Sequence, residues 1–231
     1  MFQGFSEKSV AFLAALKANN NRAWFEDNRS DFQSLCVDPA LDLIEALAPV
    51  AQTLDPVHNA VPKLNKSLRR IHRDTRFSKD KTPYHTHIHI VFWAGDHPNR
   101  SPGIHLVLSH DHFGFGAGHW AFAGEGLGRY RAAVVNQKHR AALEAALQSA
   151  SRVGCFPGEP ELKKVPRAFD AADPAADLLR RKGIVARSAE TAGFDKRLFG
   201  PAALDYLTEI MGALAPLDRW IDRVVENGQE T

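Results

Sequence analysis

Between Tyr84 and Phe122 the hydrophobic pattern of this chain has a period of two, and on both sides of that stretch it has the period of a helix. A period of two sends successive side chains to opposite faces of a sheet, so the middle must be strands and the flanks must pack on them. In Tyr84–Ala94, Ile88, Ile90 and Phe92 share one face, and His85, His87, His89, Val91 and Trp93 share the other. Ile104–His110 repeats this, with Ile104, Leu106 and Leu108 opposite His105, Val107 and Ser109. Phe113–Phe122 gives a further strand, and Leu68–Arg73 a short one. Together they read as an antiparallel meander.

Upstream, Ser6–Lys17 carries Val10, Leu13 and Leu16 behind a Ser6 N-cap. Arg22–Leu35 restarts after NNNR, with Trp24, Phe25 and Phe32 as buried positions. Asp38-Pro39 reads as a cap and first helical residue opening a third helix through Leu54, with Pro49 kinking it or ending it early. Downstream come a long helix over Glu125–Ala150, a short strand near Leu162–Arg167, a helix over Pro174–Lys182, a strand over Ile184–Arg187, and a closing helix over Pro201–Val225 that contains Pro216. Helices, then strands, then helices make an α+β fold: a central antiparallel sheet with N-terminal and C-terminal helices packed on it. The expected organisation is one domain over 1–231, with a helical part at 5–54, the sheet at 66–122 and a second helical part at 125–226.

With 231 residues and 44% hydrophobic content the chain has enough apolar material for one large core. MFQGFSEKS lacks the cationic and apolar regions of a signal peptide, and no apolar run approaches a membrane span. Cys36 and Cys155 stand far apart and suggest neither a disulfide framework nor a cysteine zinc site. The expectation is a soluble cytoplasmic protein with no membrane partner. The oligomeric state is not legible.

Charge is concentrated in one place. Residues 63–81 hold eight Lys or Arg against Asp74 and Asp80, a local excess of six in a chain whose net charge is +2. Such a block marks an anion site more often than an overall excess does. Nine of the eleven histidines lie between His72 and His119. A two-residue hairpin at Asp111-His112 would place Gly114, Gly116 and Gly118 beside Ser109, Val107 and His105, on the histidine face. Glycine inside a strand is explained by close approach of a ligand, or of another backbone or helix.

Three chemistries compete for this face. A metal could be held by His87, His89 and His105, but no Asp or Glu alternates with them. A phosphate or carboxylate could be held by Arg70, Arg73 and Arg76 as forked donors, with Lys79 and Lys81 as point charges. A nucleic acid could track the cationic block and stack on Trp93 and Trp120, although no second cationic face is evident. GFGAG and GEGLG fit neither a dinucleotide nor a Walker A motif, so no cofactor is identified. No Ser or Cys sits in a nucleophile motif.

Four stretches taken together are FLAALKANNNRAWFEDNR (Phe12–Arg29), RIHRDTRFSKDKTPYHTH (Arg70–His87), GFGAGHW (Gly114–Trp120) and LRRKGIVARS (Leu179–Ser188). In these the chain resembles the bacterial and fungal family catalogued as domain of unknown function 2461, in order and over nearly its whole length. The resemblance implies a single α+β domain and brings no activity with it. Matching positions include Trp24, Phe25, Asn28 and Arg29, then Arg70, Arg73, Asp74, Arg76, Phe77, Lys79, Asp80, Lys81, Pro83 and Tyr84, then Gly116, Gly118 and Trp120. The family more typically has Lys where this chain has His85, and His89 is outside its pattern, which argues against a metal.

The resulting expectation is a pocket for a small anionic, phosphate-bearing ligand between the cationic loop and the His/Gly face. Its binding residues are Arg70, Arg73, Arg76, Lys79, Lys81, Tyr84, Asn28, Arg29, Gly118 and Trp120, with no metal. If chemistry occurs there, His87 or His105 is the general base and Arg70 or Arg73 the charge stabiliser. The rival class is a nucleic-acid-binding or protein-interaction module in which Asp74 and Asp80 merely pair the loop's cations.

Overall fold

The computed structural model describes residues 2–228, so Met1 and 229–231 of the expected domain lie outside the described residues. Helices α1 (Glu7–Ala18), α2 (Arg22–Asp27), α3 (Arg29–Phe32) and α4 (Asp38–Thr53) precede the strands β1 (His87–Trp93), β2 (Gly103–Ser109) and β3 (Phe113–His119). Then follow α5 (Glu125–Val135), α6 (Gln137–Ser151), β4 (Phe156–Pro157), α7 (Ala176–Leu179), β5 (Ile184–Arg187) and α8 (Ala203–Trp220). The strands form one antiparallel sheet in the order β1-β2-β3-β5-β4. This is the α+β arrangement that the change of period demands.

One sheet face is the core. Ile88, Ile90, Phe92, Ile104, Leu106, Leu108, Ala117, Ile184 and Ala186 are all buried there. α4 packs on β1, and α8 packs on β2 and β3. Burying each large aliphatic side chain contributes roughly 1.5–3 kcal/mol, so this face fixes which side of the sheet is free for anything else. The opposite face carries the histidines and opens onto two clefts.

Several local expectations change. Asp38 does not cap a new helix: its carboxylate accepts from Nε2 of Gln33 at 2.7 Å, and a π-helical turn over Gln33–Val37 carries the chain straight into α4. Pro49 does not end α4, which runs on to Thr53. The single long helix divides at Asn136, whose side chain accepts from the amides of Lys138 and His139 at 2.9 and 3.2 Å and so caps α6. No strand forms over 162–167. Pro166 has no amide to give a ladder and Lys163 and Lys164 stay exposed, so Phe156–Pro157 takes the edge beside β5 instead.

Leu68–Arg73 is extended but not a regular strand, because its bonds alternate between two partners. Arg69 N–H donates to His89 O (2.9 Å) on β1, whereas Arg73 N–H donates to Pro83 O (2.9 Å) and His85 N–H donates to Ile71 O (2.7 Å). The segment covers the free edge of β1 and then doubles back on itself.

The hairpin between β2 and β3 turns at His110-Asp111, not Asp111-His112. Ser109 N–H donates to His112 O at 2.9 Å, and Asp111 is held by Nδ1 of His112 at 2.7 Å. The pairs are therefore Leu108–Phe113, Leu106–Phe115, Val107–Gly114, His105–Gly116 and Gly103–Gly118. A shift of two residues leaves every side chain on its expected face.

Candidate functional site

The cationic segment separates into two groups of charges. In the loop beyond Ile71, Nη1 of Arg73 donates to Asp80 at 2.6 Å, to the Thr82 carbonyl at 3.0 Å and to the Thr82 hydroxyl. Arg76 pairs with Asp74 at 2.7 Å, and Nζ of Lys81 donates to Thr75 O at 2.9 Å. The side-chain hydrogen bond from Arg76 holds the Asp74 carboxyl down to about 2. The Thr82 amide and hydroxyl, then Arg73, lower that of Asp80. The loop thus consumes the charges of Arg73 and Arg76 internally and presents Phe77 at its surface, 94% exposed.

Arg69 and Arg70 belong to the second group. Among the described residues neither makes an ion pair. Arg69 is partly buried, spends one guanidinium bond on Pro98 O at 2.7 Å, and has its pKa lowered by desolvation. Both arginines line a cleft of about 800 Å³, which also takes in His72, Asp74 and His85 from the same segment. Its sheet side is built by His89, His105, Gly118, His119 and Trp120.

His85, His87, His89 and His105 on the sheet face all have their pKa values lowered. Nε2 of His89 lies 2.8 Å from Nδ1 of His105, so one ring donates and the other accepts. Desolvation, then the neighbouring His105, His87 and Arg69, push His89 down to about 2. Desolvation and Arg69 take His105 to about 4, and desolvation with His85 takes His87 to about 4. His85 is lowered as well, first by burial and then by Arg73 and Arg70. The site therefore offers imidazoles as hydrogen-bonding groups while the positive charge rests on arginine. Among the described residues no group of three or more His, Cys, Asp or Glu is arranged to hold a metal.

Gly118 has φ +126°, and a Cβ there would collide with the backbone of Ile184. A Cβ on Gly116 would lie 2.5 Å from Ala186 O. Both glycines admit the close approach of β5, which is a backbone requirement and not an opening for a ligand. Gly114 is different, since its added Cβ would meet nothing nearer than His112 at 3.5 Å.

Of the residues singled out from sequence, Arg70, His105, Gly118 and Trp120 come together in the cleft. Arg73, Arg76, Lys79 and Lys81 stay in the loop outside its lining, and His87 is also outside it, its ring 5.1 and 6.3 Å from those of His85 and His89. Tyr84 is buried at 3% exposure, stacked on Phe25 at 4.1 Å, with its backbone clasped by Asn20. Asn28 donates to Trp24 O at 2.8 Å and Arg29 pairs with Glu26 at 2.8 Å, so both serve the N-terminal helices and not the cleft.

Sequence reasoning did not single out Arg69, which lines the cleft. The signal was its position immediately before the loop, where the period-two pattern sets it beside β1. It also missed a pair behind the cleft. His58 and Asp218 are fully buried, with Nε2 2.9 Å from Oδ2 and Nδ1 of His58 2.7 Å from Pro56 O. Desolvation raises the Asp218 carboxyl, opposed by His58 and by the backbone amide of Gly118. One buried acid in the apolar stripe of the last helix was the visible sign.

Comparison with curated proteins and with solved structures finds no significant match to the chain. No helix among the described residues is long and apolar enough to cross a membrane. The sequence profile of the family described as "Conserved hypothetical protein (DUF2461)" matches residues 8–220, and the chain belongs to that family.

Proposed function

We propose that the cleft binds a small, phosphate-bearing anion. The observation that carries this is Arg69: a partly buried guanidinium with no carboxylate partner among the described residues, beside two neutral imidazoles. A desolvated cation without a counter-ion is unfavourable unless an anion completes it, and forked guanidinium donors suit phosphate oxygens. Arg70 supplies a second charge at the rim, and His105 is the one of the two candidate bases that lines the cleft. The ion pairs of Arg73 and Arg76 support a structural part for the loop that follows. We read the whole chain as one domain, because one hydrophobic cluster runs from Phe2 to Val225. We also assign it to a reducing cytoplasm, since Cys36 and Cys155 are buried free thiols.

Calorimetric titration with pyrophosphate tests the reading. Arg69→Ala should weaken binding at least about tenfold, the scale of a lost charged hydrogen bond, and Arg76→Ala should leave it unchanged. Equal affinity in wild type and Arg69→Ala would overturn it. Binding that collapses steeply with salt and favours oligonucleotides would indicate a nucleic-acid groove instead.

A further inference from the structure

A second, smaller cleft adjoins the first on the same sheet face. Its volume is about 240 Å³, below the roughly 300–1,000 Å³ that accommodates a small ligand alone. It shares His89, His105 and Trp120 with the larger cleft, so the two are compartments of one site meeting at the imidazole pair. Their walls differ in kind. Arg69 and Arg70 line only the larger compartment, whereas Val107, Gly114, Gly116 and Val185 line only the smaller.

The smaller compartment is shaped for something flat. Val107 pairs with Gly114, and the space above Gly114 is open, since a Cβ there would meet nothing nearer than His112 at 3.5 Å. At its rim stands Trp120, 65% exposed, with the Arg187 guanidinium 5.6 Å from the ring centre. The fold gains little from an indole held in that position. A bare floor beside an exposed indole and a stacking guanidinium is what an aromatic ring needs in order to lie down.

We propose that the ligand is a phosphomonoester whose other end is a flat heteroaromatic ring. Its phosphate lies against Arg69 and Arg70, and its ring occupies the glycine-floored slot beside Trp120. This rests on the anion reading above and adds the chemical class of the rest of the ligand.

Adenosine 5′-monophosphate and ribose 5-phosphate share a phosphate and a sugar and differ by the ring, so titrating the full chain with each isolates the slot. Wild type should bind the nucleotide roughly tenfold to a hundredfold more tightly, the range one stacked base supplies. Trp120→Ala should remove that advantage, so that the nucleotide and ribose 5-phosphate bind alike. Gly114→Val, which fills the slot from its floor, should do the same. If Gly114→Val lowers the melting midpoint, the exposed Trp120→Ala decides alone. Equal binding of both probes by wild type, or an advantage that survives Trp120→Ala, would overturn the inference while the anion reading stands. Failure of both probes to bind would overturn the two together.

Discussion

Nε2 of His89 and Nδ1 of His105 lie 2.8 Å apart on diagonal positions of β1 and β2, and the Arg69 guanidinium is close enough to disfavour a proton on either ring. Two neutral imidazoles and one cation with no ion-pair partner among the described residues therefore share a cleft wall. That combination sets the pH behaviour of the fold as well as the ligand proposed for it.

The folded-state pKa values of His105 and His87 are about 4 against an ordinary 6.5, and that of His89 is about 2. Below pH 6.5 the unfolded chain takes up protons that the folded chain refuses, so stability falls with pH from about 6.5 down to about 4, with His89 extending the loss further. For His105, the most enclosed of the three, the loss by pH 5 is on the order of 2 kcal/mol. Thermal melts at pH 7.5 and pH 5.0 should show the drop, and a His89→Gln/His105→Gln variant should show less of it. A midpoint independent of pH over this range would refute the assignment.

Replacing Gly118 with Val should destabilise the fold by roughly 1–3 kcal/mol or more, through collision with the β5 backbone and strain at a positive φ. Gly114→Ala, whose Cβ meets only ordinary contacts, should be tolerated. Chemical denaturation of the two variants gives the comparison, and equal stabilities would contradict the tight β3–β5 approach.

Asp218→Ala should be among the most damaging single changes. It removes the partner of the fully buried His58, and breaking a buried pair by deleting one side costs roughly 3–5 kcal/mol. The unfolding midpoint in denaturant measures it. A loss well under about 1 kcal/mol would mean that water or another group reaches His58.

How much of this was legible in the sequence depends on the range of the interaction. Alternation at Ile88/His89 and Leu106/His105 fixed both sheet faces, and β5 over Ile184–Arg187 was read to the residue, because a period of two needs only local information. The hairpin at His110-Asp111 was misplaced because register depends on which donor the Asp111 carboxylate finds, not on pattern. Asn136 was read through as helix because its capping bonds compete with a helix that its Ala-rich neighbours also favour. In the site, the cationic block was visible but its division was not. Arg73 and Arg76 find Asp80 and Asp74 a few residues away, while the isolation of Arg69 follows from a backbone bond to His89 twenty residues downstream. The His58–Asp218 pair, 160 residues apart, lay beyond any local signal.

The most direct test of the central claim is a crystal grown from phosphate. The account places an ordered phosphate in the large cleft, with oxygens about 2.7–2.9 Å from the Arg69 guanidinium and an imidazole nitrogen of His105 or His89 in the same coordination shell. An unoccupied cleft, with phosphate bound only at Arg76, Lys79 or Lys81 on the loop, would contradict it.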